Sequence, residues 1–362
     1  MLPLKYKNRA LWVTSIVYYC IFDRMNLEDI STLRSLLSIP QNIVIVPHKN
    51  PDGDAVGSTL ALYLYLTGKG QKCSIISPND YPKFLKWMPS NEVILNFEKA
   101  PGKCKRILEE ATLVFTLDFN DFSRTGALEG PLRESNADFI MIDHHQQPSD
   151  YAKVTYSDVE MSSTCEMVYN FIEYLGDAKT LTKSIATNLY TGIMTDTGSF
   201  KYRSTSSKTH RIVADLIDRG AENMEIHRRV FDTNSPSRLH LLGVALKNMV
   251  ILKEYRTAFI TLTQSELDAN HFKKGDTEGF VNYGLTLEGI VFAVIFIENR
   301  EEGIIKISFR SVGSFSVNEF ARKHFNGGGH TNAAGGRSDT SMKETLTTFQ
   351  SALTLYKNQL AV

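Results

Sequence analysis

The stretch Ile43-Val44-Ile45-Val46-Pro47-His48-Lys49-Asn50-Pro51-Asp52-Gly53-Asp54 constrains this chain more than any other. Its β-branched run predicts a strand, Pro51 and Gly53 a turn, and the apolar-periodic residues Ala55 to Leu66 a helix. A strand, a loop rich in metal-ligand side chains and a helix, in that order, open an α/β sheet. Ligands of such sheets gather outside the carboxyl ends of the strands, which predicts His48, Asp52 and Asp54 in one cleft.

Two later strand ends supply partners. Thr112 to Leu117 reads as a buried strand stopping at Asp118, and Phe139 to Ile142 stops at Asp143-His144-His145. Asp196 ends the helical segment Ser184 to Thr195. Imidazoles and carboxylates without a nearby thiolate suit Mn²⁺ or a similar ion better than a structural zinc. The carboxylates are too many for one metal.

These motifs, His48 to Asp54, Asp118, Asp143-His144-His145 and Asp196, resemble those of the DHH phosphoesterase family. The glycine-rich Phe325-Asn326-Gly327-Gly328-Gly329-His330-Thr331-Asn332-Ala333-Ala334-Gly335-Gly336 is similar to the signature of its DHH-associated domain. The resemblance runs from Met25 to the end. It implies an N-terminal doubly wound, mostly parallel sheet, a smaller C-terminal mixed α/β domain, and an active-site cleft between them. It also implies one metal site from His48, Asp52 and Asp118, and another from Asp54, His144 and Asp196.

Phosphate ester hydrolysis needs a deprotonated water, a spread of charge over the phosphoryl oxygens and a stabilised leaving oxygen. Two divalent ions roughly 3.5–4 Å apart supply all three. Asp118 is the candidate bridge, with two Mn²⁺ ions expected and Mg²⁺ or Co²⁺ as substitutes. Side chains alternate at a strand end, so Asp143 is expected to orient a ligand, and His145 to contact a metal-bound phosphate or protonate the leaving group. Arg310 offers a bidentate phosphate contact, and Gly327, Gly328 and Gly329 beside His330 an anion-binding nest. In the family these positions bind substrate. Arg124 is a further substrate-contact candidate near the Asp118 loop.

The expected activity is that of the family's nanoRNase/pAp-phosphatase branch, which cleaves very short oligoribonucleotides and dephosphorylates 3′-phosphoadenosine 5′-phosphate. RecJ-type members of the family add an OB fold and the larger cyclic-dinucleotide phosphodiesterases add membrane helices and sensory domains, so a two-domain core is the expectation here. Competing readings are a cyclic di-AMP/pApA phosphodiesterase, an exopolyphosphatase-like hydrolase and a non-catalytic nucleotide-binding regulator. Base-stacking aromatics would favour nucleotides, the candidates being Phe119, Phe122, Tyr202 and Phe315.

The 362 residues carry 40 basic and 40 acidic side chains, which argues against a broad nucleic-acid-coating surface and for local grip at a few basic groups. Short substrates, no long duplex and no membrane are the expected partners, with a homodimer left open. Cys20, Cys73, Cys104 and Cys165 form no CxxC pair, as in a reducing cytoplasm. Residues 1–24 read as an upstream extension or misassigned start, with an export signal as the alternative. Residues 25–231 are the expected phosphoesterase domain, 232–248 a linker and helix, and 249–362 the substrate-binding domain.

Overall fold

The computed structural model describes residues 25–360. The readings made for residues 1–24 lie outside the described residues. The chain divides into two compact units: one runs to Tyr81 and resumes from Met88 to Asn223, and the other comprises Pro82–Trp87 and Met224–Val362.

The first unit is built on six parallel strands: β1 (Asn42–Pro47), β2 (Lys72–Ser77), β3 (Ile94–Asn96), β4 (Leu113–Leu117), β5 (Asp138–Asp143) and β6 (Val154–Ser157). Their spatial order is β3-β2-β1-β4-β5-β6. The three central strands are buried almost throughout. That is why they read as continuous apolar runs rather than alternating ones. Chain progression reverses between β1 and β4, and a crevice opens at such a reversal. Both strands flanking it end in candidate ligands.

Helix Gly53–Gly68 covers this sheet and is buried over most of its length. Asp52 caps it: Oδ1 accepts the amides of Asp54 and Ala55 at 3.0 and 3.1 Å. It packs most extensively on helix Lys183–Asp196, whose last residue is the candidate ligand. The apolar runs read from the sequence are β1, β4 and β5; β6 is a four-residue edge strand with alternating burial and carries no such run.

The second unit holds a mixed sheet of β7 (Val250–Leu252), β8 (Thr257–Leu262), β9 (Phe292–Asn299), β10 (Ile304–Ser311), β11 (Gly328–Gly329) and β12 (Ala333–Ser338), ordered β11-β12-β10-β9-β8-β7. Its pairs are antiparallel except β8 with β9. One core joins Phe259, Phe292, Phe309, Phe320 and Phe349 to the helices Val317–His324 and Met342–Thr354. Another sets Leu241 and Ala245 of helix Pro236–Lys247 against Ile260 and Ile295. Within this unit the Arg229 guanidinium lies 5.4 Å from the Trp87 ring centroid. Among the described residues no helix is long and apolar enough to cross a membrane.

Candidate metal centre

The first unit brings six predicted ligands to the β1/β4 reversal. His48 follows β1, and its Nδ1 bonds the Lys49 carbonyl at 2.9 Å. Its Nε2 lies 3.4 Å from Asp118 Oδ2 and 3.9 Å from Asp52 Oδ2. Asp52 divides its carboxylate: Oδ1 caps the helix, while Oδ2 faces His48 from a side chain that is 57% exposed.

His144 follows β5 and is fixed similarly, Nδ1 against the Met161 carbonyl at 3.2 Å. Its Nε2 stands 3.5 Å from Asp118 Oδ1, 3.6 Å from Asp196 Oδ2 and 3.8 Å from Asp54 Oδ2. Each imidazole is thus anchored through one nitrogen and presents the other to carboxylates, the way metal-binding histidines are held.

Asp118 belongs to both groups. One oxygen faces His48 and the other His144. The residue sits at φ 65°, in the left-handed region that L side chains avoid and that recurs at functional sites. His48, Asp52 and Asp118 offer one ligand atom each within 4.8 Å of one another, and so do Asp54, Asp118 and His144. The set is oxygen and imidazole nitrogen only. Such donors would suit hard or borderline divalent cations, and Asp118 is the residue common to both groups.

The electrostatics support that fit. Burial pushes Asp54 well above the usual carboxylate range, and the charges of Asp118 and Asp196 push further. Burial likewise raises Asp196 to about 6, although His144 opposes it. Asp118 goes the other way despite its burial, because His144 and His48 donate to it. Burial acts to lower both His48 and His144, yet Asp118 as acceptor and the surrounding carboxylates hold both above their ordinary value. Crowded buried acids of this kind are relieved by cations.

A third histidine plays a different part. His145 Nδ1 bonds Asp143 Oδ1 at 2.7 Å, which places the tautomeric proton on Nδ1 and the lone pair on Nε2. Asp143 is fully buried, with Oδ2 unpartnered by any hydrogen bond.

Several contributors escaped the sequence reading. The amides of Thr164 and Cys165, at the start of helix Thr164–Tyr174, donate to Asp54 Oδ2 and Oδ1 at 2.6 and 2.8 Å. The Thr164 hydroxyl donates to Asp118 Oδ1 at 3.0 Å. Thr164 therefore touches a candidate ligand from each group. Nearby, buried Glu166 accepts from Ser162 and from Thr209, the latter at 2.9 Å. Asn79 clamps the first ligand loop, accepting from the Asn50 amide at 2.7 Å and donating to Asn50 Oδ1 at 2.8 Å. Only the polar run Ser162-Ser163-Thr164-Cys165-Glu166 before an apolar helix could have hinted at this.

The remaining candidates are placed as follows. Arg124 is half-buried in the turn after Asp121, and its carbonyl accepts the Lys49 amide at 2.7 Å. In the second unit, Arg310 lies on β10, with Nη1 on the Phe309 carbonyl at 3.0 Å and, among the described residues, no carboxylate within ion-pair distance. The glycine triplet is tightly built. The Gly327 amide donates to the Ala321 carbonyl and that of Gly329 to Asn318 Oδ1, at 3.2 and 3.0 Å. A Cβ on Gly327 or Gly329 would lie 2.0 or 2.5 Å from a β12 carbonyl oxygen. The triplet thus owes its composition at least in part to close strand pairing, with two of its three amides already committed. His330 closes the following turn through its own amide on the Ala333 carbonyl, at 2.7 Å.

A β3-β2-β1-β4-β5-β6 parallel sheet with an acid and imidazole cluster at its reversal defines an α/β protein with a candidate divalent-metal centre. The chain belongs to the DHH family: residues 42–193 match the family's N-terminal domain and residues 260–358 the DHHA1 domain. The bifunctional oligoribonuclease and PAP phosphatase NrnA of Thermus thermophilus is 33% identical over 303 residues, covering 83% of this chain and 85% of that one. A solved exopolyphosphatase-related protein from Bacteroides fragilis is 38% identical, with a TM-score of 0.90 over 94% of this chain and 100% of that one. The cyclic-di-AMP phosphodiesterase GdpP of Geobacillus thermodenitrificans is 25% identical over 86% of this chain but 47% of its own.

Proposed function

We propose that this chain is a cytoplasmic, Mn²⁺-dependent hydrolase that cuts short oligoribonucleotides to mononucleotides and converts 3′-phosphoadenosine 5′-phosphate to AMP. The observation that carries the reading is the sharing of Asp118 between two ligand groups, one with His48 and Asp52 and one with Asp54 and His144. Asp196, 3.6 Å from His144, extends the second group. Bound there, two divalent ions supply an activated water and neutralise the phosphoryl charge. The chain's own residues do the rest. Asp118 holds the two groups in register, Thr164 fixes Asp118 and Asp54, and Asp143 orients His145 so that its free Nε2 takes up a proton from water and passes it to the leaving oxygen. Arg310 and the Gly327 to His330 segment hold the substrate's terminal phosphate, with Arg124 as a further contact. Likeness to NrnA over most of both chains favours the short-RNA and PAP assignment over the cyclic dinucleotide one.

The deciding experiment is a product-resolved assay with Mn²⁺ and then with chelator. The substrates are RNA dimers to pentamers, a long single strand, 3′-phosphoadenosine 5′-phosphate, cyclic di-AMP, pApA and polyphosphate. Rapid, chelator-sensitive conversion of the shortest RNAs and the bisphosphate, with the long strand nearly untouched, is expected. Preference for cyclic di-AMP or polyphosphate would move the substrate; turnover of none would leave a binding role.

A further inference from the structure

Four aromatic side chains were candidates for stacking on a base, and three of them are inside the protein: Phe119, Phe122 and Phe315 are buried. Tyr202 is 40% exposed. It follows the ligand Asp196 by six residues, at the end of a turn whose geometry is unusual.

Gly198, Ser199 and Phe200 occupy the left-handed region in succession, with φ of 57°, 61° and 66°. Ser199 and Phe200 are not glycine, and L residues avoid this conformation. The surroundings impose it. The Phe200 amide donates to Thr197 Oγ1 at 3.0 Å, and the Phe200 ring packs against Tyr190 and His210, at centroid distances of 5.9 and 5.8 Å. The amides of Lys201 and Tyr202 then both reach back to the Thr197 carbonyl at 3.0 Å. The turn folds the Tyr202 ring onto Gly198, two residues from Asp196. A Cβ at Gly198 would lie 2.5 Å from Tyr202 Cζ, so the ring occupies the space a side chain would need.

Phe200 thus points inward as an anchor, while Tyr202 lies against backbone with the rest of its ring in solvent. Lys201 and Arg203 flank it, both exposed and, among the described residues, neither within ion-pair distance of a carboxylate. A seated aromatic surface between two cations beside a phosphate-cutting centre has the make-up of a single-strand nucleotide subsite, where a base stacks and its phosphates are neutralised.

We infer that Tyr202 is a base-stacking residue, receiving a nucleobase next to the phosphate held at the Asp196 side of the centre, with Lys201 and Arg203 contacting the flanking phosphates. The inference rests on the proposed nucleotide substrate and accounts for discrimination of nucleotides from base-free phosphate chains.

The test compares wild type with Tyr202→Ala, Tyr202→Phe and Tyr202→Trp, all loaded with Mn²⁺. Steady-state kinetics are measured on an RNA dinucleotide and on the same dinucleotide with both bases replaced by hydrogen. Loss of the ring is expected to raise KM for the RNA dinucleotide roughly tenfold, with kcat little changed and KM for the base-free analogue unmoved. Phe and Trp should restore the wild-type KM. An unchanged dinucleotide KM in the alanine variant, or an equal rise on both substrates, overturns the stacking role while leaving the proposed function standing. Wild-type turnover of neither substrate overturns both.

Discussion

Asp118 is the residue on which most of the site converges. It is buried, left-handed in backbone, shared between two ligand groups and held by the Thr164 hydroxyl. Asp118→Ala should lower turnover by roughly 10³-fold or more, which is about 4 kcal/mol of barrier. Loss of both ions should accompany it, checked by metal analysis of the purified variant. Thr164 makes a finer prediction. Thr164→Val keeps the shape but removes the hydroxyl, so Mn²⁺ affinity measured by calorimetry should fall about tenfold, with Thr164→Ser restoring it. A valine variant that binds Mn²⁺ as tightly as wild type would refute that role. These two residues also mark where the sequence could be read. That His48, Asp52, Asp54, Asp118, His144 and Asp196 come together was legible because strand ends and helix caps project them in fixed patterns. Thr164, Cys165 and Met161 act largely through backbone groups or one hydroxyl, and those carry no residue signature.

At the level of elements, the legible parts were those buried on both faces or strongly periodic. β1, β4 and β5 are apolar runs because helices cover both sides, and helix Gly53–Gly68 announces itself through Asp52 and the turn at Pro51. β12 was not legible as a strand. Ala333-Ala334-Gly335-Gly336 has low strand propensity and pairs because its small residues let β11 approach. Strand β10 carries the prediction at this scale. Arg310 alternates on it with the buried Phe309 and Ser311, which fixes its direction. Arg310→Ala should raise KM about tenfold or more with kcat nearly unchanged, and Arg310→Lys should not restore it, because an ammonium cannot reproduce the planar two-point contact. Equal loss of kcat at constant KM would instead put the guanidinium in the chemical step.

For the whole molecule, the buried charges predict how stability responds to pH and metal together. In metal-free protein, Asp196 is raised to about 6 and Asp54 well above its ordinary value of 3.8. From about pH 4 upward the unfolded chain releases these protons while the native state retains them, so stability falls as pH rises. His144 is held well above 6.5. Its contribution is fully present below that value and is lost as pH climbs through the folded one, which has the same sign. Asp118 is depressed below 3.8, so its contribution is lost only as pH falls through that lower range, outside the window considered. The Tm of chelator-treated protein should therefore decline steadily from pH 5 to 8. Saturating Mn²⁺ takes the place of those protons, binding the native state more tightly as the acids ionise. Its stabilisation should be small near pH 5 and grow above about 6, flattening or reversing the slope. Melting curves across that range, with and without metal, check both limbs. A Tm that rises with pH in chelator would mean that the acids of this centre are not crowded as the structure places them.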